Sequence, residues 1–208
     1  MNDTNLFDYF SALIEACQKD KNQPRIYAPT GYDYCLEGAY YLLNQSIRQL
    51  AFRKGHRCVS KAAFTLWNNL QVRQPIFNYW YQKPVCYNNS EPVTVSFYMG
   101  AGSEPFLRKE IKFEGKNSCF PFRQVFHVEH VVPVNVILNQ LLNVNLSDDK
   151  EKVYENIHAV LDKIYLCYMT KEEDRRLNKI AKTRRSDNFA EVIAKEYRDA
   201  GIEIALWQ

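Results

Sequence analysis

The apolar residues of this chain change their spacing twice, and no other feature narrows the fold as far. Between Leu6 and Cys17 they fall at 6, 7, 10, 13, 14 and 17, the stripe of an amphipathic helix. A second helical stretch runs from Leu36 to Phe52 and stops at Lys54-Gly55, with basic residues in its last turn and a glycine behind them. Ser60 then caps a third helix reaching Leu70. In the middle the pattern changes. Val93–Met99 and Phe106–Phe113 read as strands, and Phe120–Val134, rich in Val and Phe, as the last strand of a three-stranded meander closed by Pro133. Glycine-bearing turns at Gly100–Ser103 and Glu114–Asn117 separate them. The helical spacing then returns over Val134–Leu142 and Asp148–Ile164. A short apolar strand, Tyr165–Met169, comes next, then a charged helix from Thr170, with Thr170 and Glu173 in capping-box spacing. Ser186 is expected to cap a helix reaching Asp199, Gly201 to stop it, and Ile202–Trp207 to hold a terminal strand. The class implied is α+β, with a mostly helical region over 1–90 and a strand meander plus helical C-terminal third over 91–208, together one compact unit.

Composition excludes several alternatives. A chain of 208 residues that is 46% hydrophobic can bury a core and is not a disordered polymer. Its net charge of +3 is mildly basic, short of the footprint of a dedicated nucleic-acid binder. No leader-like run is visible at Met1–Phe10, and no stretch approaches the ~20 apolar residues of a membrane span. The expectation is a soluble, cytoplasmic protein. The six cysteines, at 17, 35, 58, 86, 119 and 167, form no CxxC pair, so the expected state is six reduced, mostly buried thiols without zinc.

Chemistry concentrates in Phe126-His127-Val128-Glu129-His130-Val131-Val132-Pro133, which holds two of the four histidines. Hydrolysis of a phosphodiester needs a group to deprotonate water and a cation to stabilise developing charge. Histidine, titrating near neutrality, suits the first task, and a carboxylate suits the second by holding a divalent metal. A second metal ligand has to come from elsewhere, and the helix after the next strand is the expected source.

Glu129-His130-Val131-Val132-Pro133 resembles the acidic-His-x-x-Pro signature of HNH (ββα-metal) nucleases. The resemblance covers roughly residues 119–182. It implies that this signature lies on the first strand, that Tyr165–Met169 is the second, and that Thr170–Lys179 is the metal helix. By that resemblance His130 is the general base, Glu129 a metal ligand, and Glu173, Asp174 or Asn178 the helix ligand. Asn156 is the best match to the middle Asn of the family name. Mg²⁺ or Mn²⁺ is the implied cofactor, and no flanking cysteines supply a structural zinc. Two features depart from the pattern. Glu replaces the commoner Asp before His130, and the spacer before the second strand is long enough for two extra helices.

Downstream lie Lys171, Arg175, Arg176, Lys179, Lys182, Arg184 and Arg185, against three acidic residues. Such a cluster beside a catalytic metal suits the backbone of duplex DNA, although charge runs are commonly just solvated helix faces. A second basic patch is Arg48, Arg53, Lys54, His56 and Arg57. Amides and aromatics at Trp67–Asn69, Asn78–Gln82 and Tyr87–Asn89 suit base recognition, as in a restriction-type endonuclease, and suit packed turns equally. Double-strand cleavage with one site per chain implies a homodimer. Two other readings stand beside this one. Glu110-Ile111-Lys112 has the form of a carboxylate–lysine nuclease site, with Glu104 or Glu37 as its partner. Alternatively, the chain is a non-catalytic module that binds nucleic acid or protein.

Overall fold

The structure, a computed structural model, describes residues 3–19, 38–54, 56–72, 74–78, 84–87, 93–99, 107–113, 118–181 and 185–208. In chain order the elements are α1 (Asp3–Lys19), α2 (Ala39–Lys54), β1 (His56–Ser60), α3 (Lys61–Asn69), β2 (Pro84–Tyr87), β3 (Val93–Met99), β4 (Leu107–Phe113) and β5 (Ser118–Pro121). They continue with α4 (Phe122–Val125), β6 (Phe126–His130), α5 (Val134–Leu142), α6 (Lys150–Leu161), β7 (Tyr165–Thr170), α7 (Lys171–Ala181), α8 (Phe189–Val192) and β8 (Ile204–Trp207). The class is α+β, as expected. Among the described residues no helix is long and apolar enough to cross a membrane.

The chain forms two compact units, and both are discontinuous: 1–55 with 132–165, and 56–131 with 166–208. The first is helical. Its helices α1, α2, α5 and α6 bury residues at helical spacing: Phe10, Ile14 and Cys17; Leu43, Ile47 and Ala51; Ile137, Leu138 and Leu141; Val153, Ile157 and Leu161. Asp149 caps α6 by accepting from the Lys152 amide at 3.0 Å. Gln18 ties α1 to the end of α5, donating to the carbonyls of Leu142 at 3.1 Å and Val144 at 2.9 Å.

The second unit is built on a four-stranded sheet of order β6-β7-β1-β8, with β6/β7 and β1/β8 antiparallel. One core of this unit gathers Val59, Trp67, Phe120, Phe122, Phe126 and Tyr168, with Val128 packed against it. Phe126 stacks on Phe122 at 5.2 Å between centroids and meets Trp67 edge-on at 5.5 Å. Trp67 is thus core, its indole N–H donating to the Gln74 carbonyl at 2.9 Å, and is not available for stacking on bases.

Several expected elements differ. Phe120–Val134 is not one strand: it divides into the end of β5, the single turn α4, β6 and the start of α5. The expected meander is not one sheet either. Among the described residues β3 pairs with β4, β5 pairs with β2, and β6 joins the four-stranded sheet. Two short strands, β1 and β2, went unanticipated, each only a few residues long beside a stronger helical or turn signal. Asn188, not Ser186, caps α8, accepting from the amides of Ala190 and Glu191, while the Ser186 hydroxyl accepts from the Asn188 amide. A π-helical turn, Ile193–Tyr197, follows α8.

The expectation of six reduced thiols fails at Cys86 and Cys119. These lie directly opposite each other on β2 and β5 and form a disulfide with a Cα–Cα distance of 4.2 Å. Strand pairing brings together residues 33 apart, which no local cysteine spacing announces. Cys58 and Cys167 are reduced and buried, as expected, Cys17 is buried, and Cys35 lies outside the described residues.

Candidate metal centre

The expected strand–strand–helix order is present. β6 runs antiparallel to β7 with Phe126 opposite Thr170, Glu129 opposite Cys167 and His130 opposite Leu166. α7 begins immediately after β7. Its start is the capping box legible in the sequence. The Thr170 amide and hydroxyl donate to Glu173 Oε2 at 2.8 and 3.0 Å, and the Glu173 amide returns a bond to Thr170 Oγ1 at 3.2 Å. Ser60, the N-cap of α3, donates to the same Glu173 oxygen at 2.7 Å. Glu173 therefore joins two helix starts, and it is not among the clustered donors.

The cluster itself is His127, Glu129 and Asp174, whose ligand atoms all lie within 4.8 Å of one another. The strand explains the first two. Alternate residues of a strand share a face, so His127 and Glu129 project together. Asp174 comes from the first turn of α7. The same alternation puts His130 on the opposite face, with the core residues Phe126 and Val128. Of the sequence-derived ligands the structure thus brings together Glu129 and Asp174, with Asn178 behind them, donating to Asp174 Oδ1 at 2.7 Å. It does not bring in His130, and Asn156 is an exposed residue of α6 in the helical unit. The residue missed is His127. Its signal is the i, i+2 spacing of a histidine and a carboxylate within a strand.

Every charge in the cluster has a partner inside the protein. His127 Nε2 lies 3.0 Å from Glu129 Oε2 and 3.7 Å from Asp174 Oδ1. Lys171 Nζ lies 3.2 Å from His127 Nδ1 and 3.8 Å from Asp174 Oδ2. Arg185 pairs with Glu129 Oε1 and also donates to the carbonyls of Ala181 at 3.0 Å, His130 at 3.2 Å and Val131 at 3.4 Å. An ammonium can only donate, so Nδ1 of a neutral His127 is the acceptor and Nε2–H is the donor to Glu129. Burial on its own would raise the Glu129 pKa. The His127 hydrogen bond and the charge of Arg185 outweigh it and bring the carboxyl from 4.5 down to about 2. Around Glu129 the neighbouring groups are buried. Cys167, opposite it, and Tyr197 on the π turn are fully buried, and burial pushes both groups above their usual range.

Of the basic residues expected to meet DNA, Arg176 and Arg185 are engaged by acceptors of the protein itself. The Arg185 side chain is 2% exposed and spent on Glu129. Arg176 is half-buried and donates to the carbonyls of Ala200 at 2.8 Å and Gly201 at 3.3 Å. Arg175 is half-buried, Lys179 is exposed, and the Lys171 side chain is 27% exposed within the cluster. Lys182 and Arg184 lie outside the described residues, as do Glu37 and Glu104 of the carboxylate–lysine alternative. Glu110 and Lys112 occupy β4 opposite Ser96 and Thr94, and only the backbone of that strand is described.

One imidazole nitrogen and two carboxylate oxygens within reach of one another fit a divalent cation by donor chemistry. The set suits Mn²⁺ better than Mg²⁺, which prefers oxygen ligands alone. Comparison with models of known families, with curated proteins and with solved structures finds no match to this chain.

Proposed function

We propose that this protein is a metal-dependent nuclease that hydrolyses DNA phosphodiester bonds, with its centre at His127, Glu129 and Asp174. One observation carries the reading: three metal-ligating side chains converge from a strand and from the helix that follows its antiparallel partner, on the stretch selected by its acidic-His-x-x-Pro pattern. A divalent cation held there would supply charge stabilisation to the phosphate and leaving oxygen and lower the pKa of a water.

The chain's own residues supply the rest. Arg185 fixes one oxygen of Glu129 and leaves the other directed at His127. Asn178 orients Asp174, and the low pKa of Glu129 keeps it ionised at any physiological pH. Lys171 adds a positive charge at the mouth of the cluster, and Lys179 a second, exposed one on the same helix, both suited to phosphate.

A second reading rests on an observation of equal standing. Both carboxylates already have cationic partners, as in a purely structural ion network.

Cleavage of long duplex DNA with Mn²⁺ or Mg²⁺, against the same reaction in chelator, separates the two. The nuclease reading expects metal-dependent fragments that disappear in Glu129→Gln and Asp174→Asn, and a loss of about 10²–10⁴-fold in His127→Ala. A variant of His130 that abolishes cleavage while His127→Ala does not would return the centre to the adjacent Glu-His pair. Folded, DNA-binding protein with no cleavage under any metal supports the structural network.

A further inference from the structure

Lys171 and a metal ion cannot use His127 together. Its ammonium lies 3.2 Å from His127 Nδ1 and so occupies that nitrogen's lone pair. The other nitrogen, Nε2, carries the ring proton and donates it to Glu129 at 3.0 Å. Two routes would free a lone pair for a metal. Either the cation takes Nδ1, where the ammonium sits, or the ring proton moves to Nδ1, where it meets an N–H of the same ammonium. Both require Lys171 to leave. It is also 3.8 Å from Asp174 Oδ2, a second ligand of the same ion.

The other cation of the site is placed differently. Arg185 is anchored by three backbone carbonyls and buried, whereas Lys171 is the first residue of α7, partly exposed, with a flexible stem. One cation is built to stay and the other is able to move.

We propose that Lys171 is a resident cation that closes the His127–Asp174 pair until it is drawn out, so that metal binding by this protein is weak alone and tight when an anion takes the ammonium. This deepens the metal-centre reading and rests on it. The anion a nuclease substrate brings is the phosphodiester, so metal and nucleic-acid backbone bind with positive coupling through this side chain. The ammonium makes no covalent step; it exchanges one set of acceptors for another.

The test is the Mn²⁺ affinity of the intact chain, read from the free-ion signal in electron paramagnetic resonance, without any assay of cleavage. Lys171→Met should bind Mn²⁺ about tenfold tighter than wild type, since it removes a competing charge from a partly buried site. Lys171→Gln, which keeps a polar group but no charge, should do the same, and Lys171→Arg should stay weak. Adding His127→Ala to Lys171→Met should cancel the gain. A duplex with phosphorothioate linkages should tighten Mn²⁺ binding to wild type and leave Lys171→Met unchanged.

Equal or weaker Mn²⁺ binding by both uncharged variants, with wild-type melting temperatures, overturns the role of Lys171 while leaving the metal centre standing. No Mn²⁺ binding by wild type, by the variants or in the presence of the duplex overturns the metal centre itself.

Discussion

The two units of this molecule bury different kinds of residue. Among the described residues, those buried in the helical unit are all apolar, from Phe10 on α1 to Leu161 on α6. The buried polar and charged residues, Ser60, Glu173, Asp174, Arg185 and Glu196, all belong to the sheet unit. A buried charge costs several kcal/mol unless it is paired, and even a paired one is often no better than a hydrophobic substitute. The helical unit is therefore what a chain makes when stability alone is at issue. The sheet unit carries a buried ion network beyond its helix caps, and that contrast is what marks β6 and α7 as the place to look for chemistry.

The contrast breaks most sharply at Arg185. Arg185→Met leaves Glu129 buried without its cation and should cost about 3–5 kcal/mol in urea unfolding. Pairing it with Glu129→Gln should restore most of that. If the double variant is as unstable as the single one, Arg185 acts through its carbonyl contacts and not through the ion pair. In the helical unit, Ile137→Ala should cost about 2–5 kcal/mol as an ordinary cavity, with no effect on Mn²⁺ affinity. A changed affinity would mean that the apolar unit is not neutral to the centre.

Acid should distinguish the units next. The folded pKa of Glu129 is depressed, so its contribution is fully present above its unfolded value of 4.5 and is lost as pH falls toward about 2. The shift corresponds to at most ~3 kcal/mol, and Glu129→Gln should flatten the stability profile across that window. An unchanged profile in the variant would assign acid sensitivity to other carboxylates. The smallest effect is local. Asp149→Ala removes the cap of α6 and should cost ~1 kcal/mol, independent of metal and of pH above neutrality.

What the sequence revealed follows from how far each signal reaches. Helices α1, α5, α6 and α7 repeat a contact every turn, so a dozen residues carry their own identification, and the Thr170–Glu173 box marked a helix start to the residue. The order β6, β7, α7 was legible from the apolar runs of the two strands and the capping box that opens the helix. Phase within a strand was not. Whether His127 or His130 shares a face with Glu129 depends on regular alternation holding through Glu129, which the register of β6 on β7 displays and the residue order alone does not. The partners of Glu129 and of Cys86 were beyond reach because they are set by tertiary approach. Arg185 lies 56 residues from Glu129, and Cys119 lies 33 from Cys86. The expected DNA-binding role of Arg185 illustrates the limit, since a sequence displays a positive charge but not that a carboxylate and three carbonyls already hold it.

The division of the helical unit into two stretches of chain has a consequence for its synthesis. A ribosome delivers α1 and α2 first, then the whole stretch from His56 to Val131, and only afterwards α5 and α6, against which the first two helices bury their apolar stripes. At ~5–20 residues per second, those stripes wait several seconds without their final partners. The cluster waits too, because β7 and α7 follow α5 and α6. The chain therefore cannot assemble the cluster until the apolar unit that precedes it has emerged in full, so a truncated product ending before Tyr165 carries His127 and Glu129 but lacks Asp174, Lys171 and Arg185.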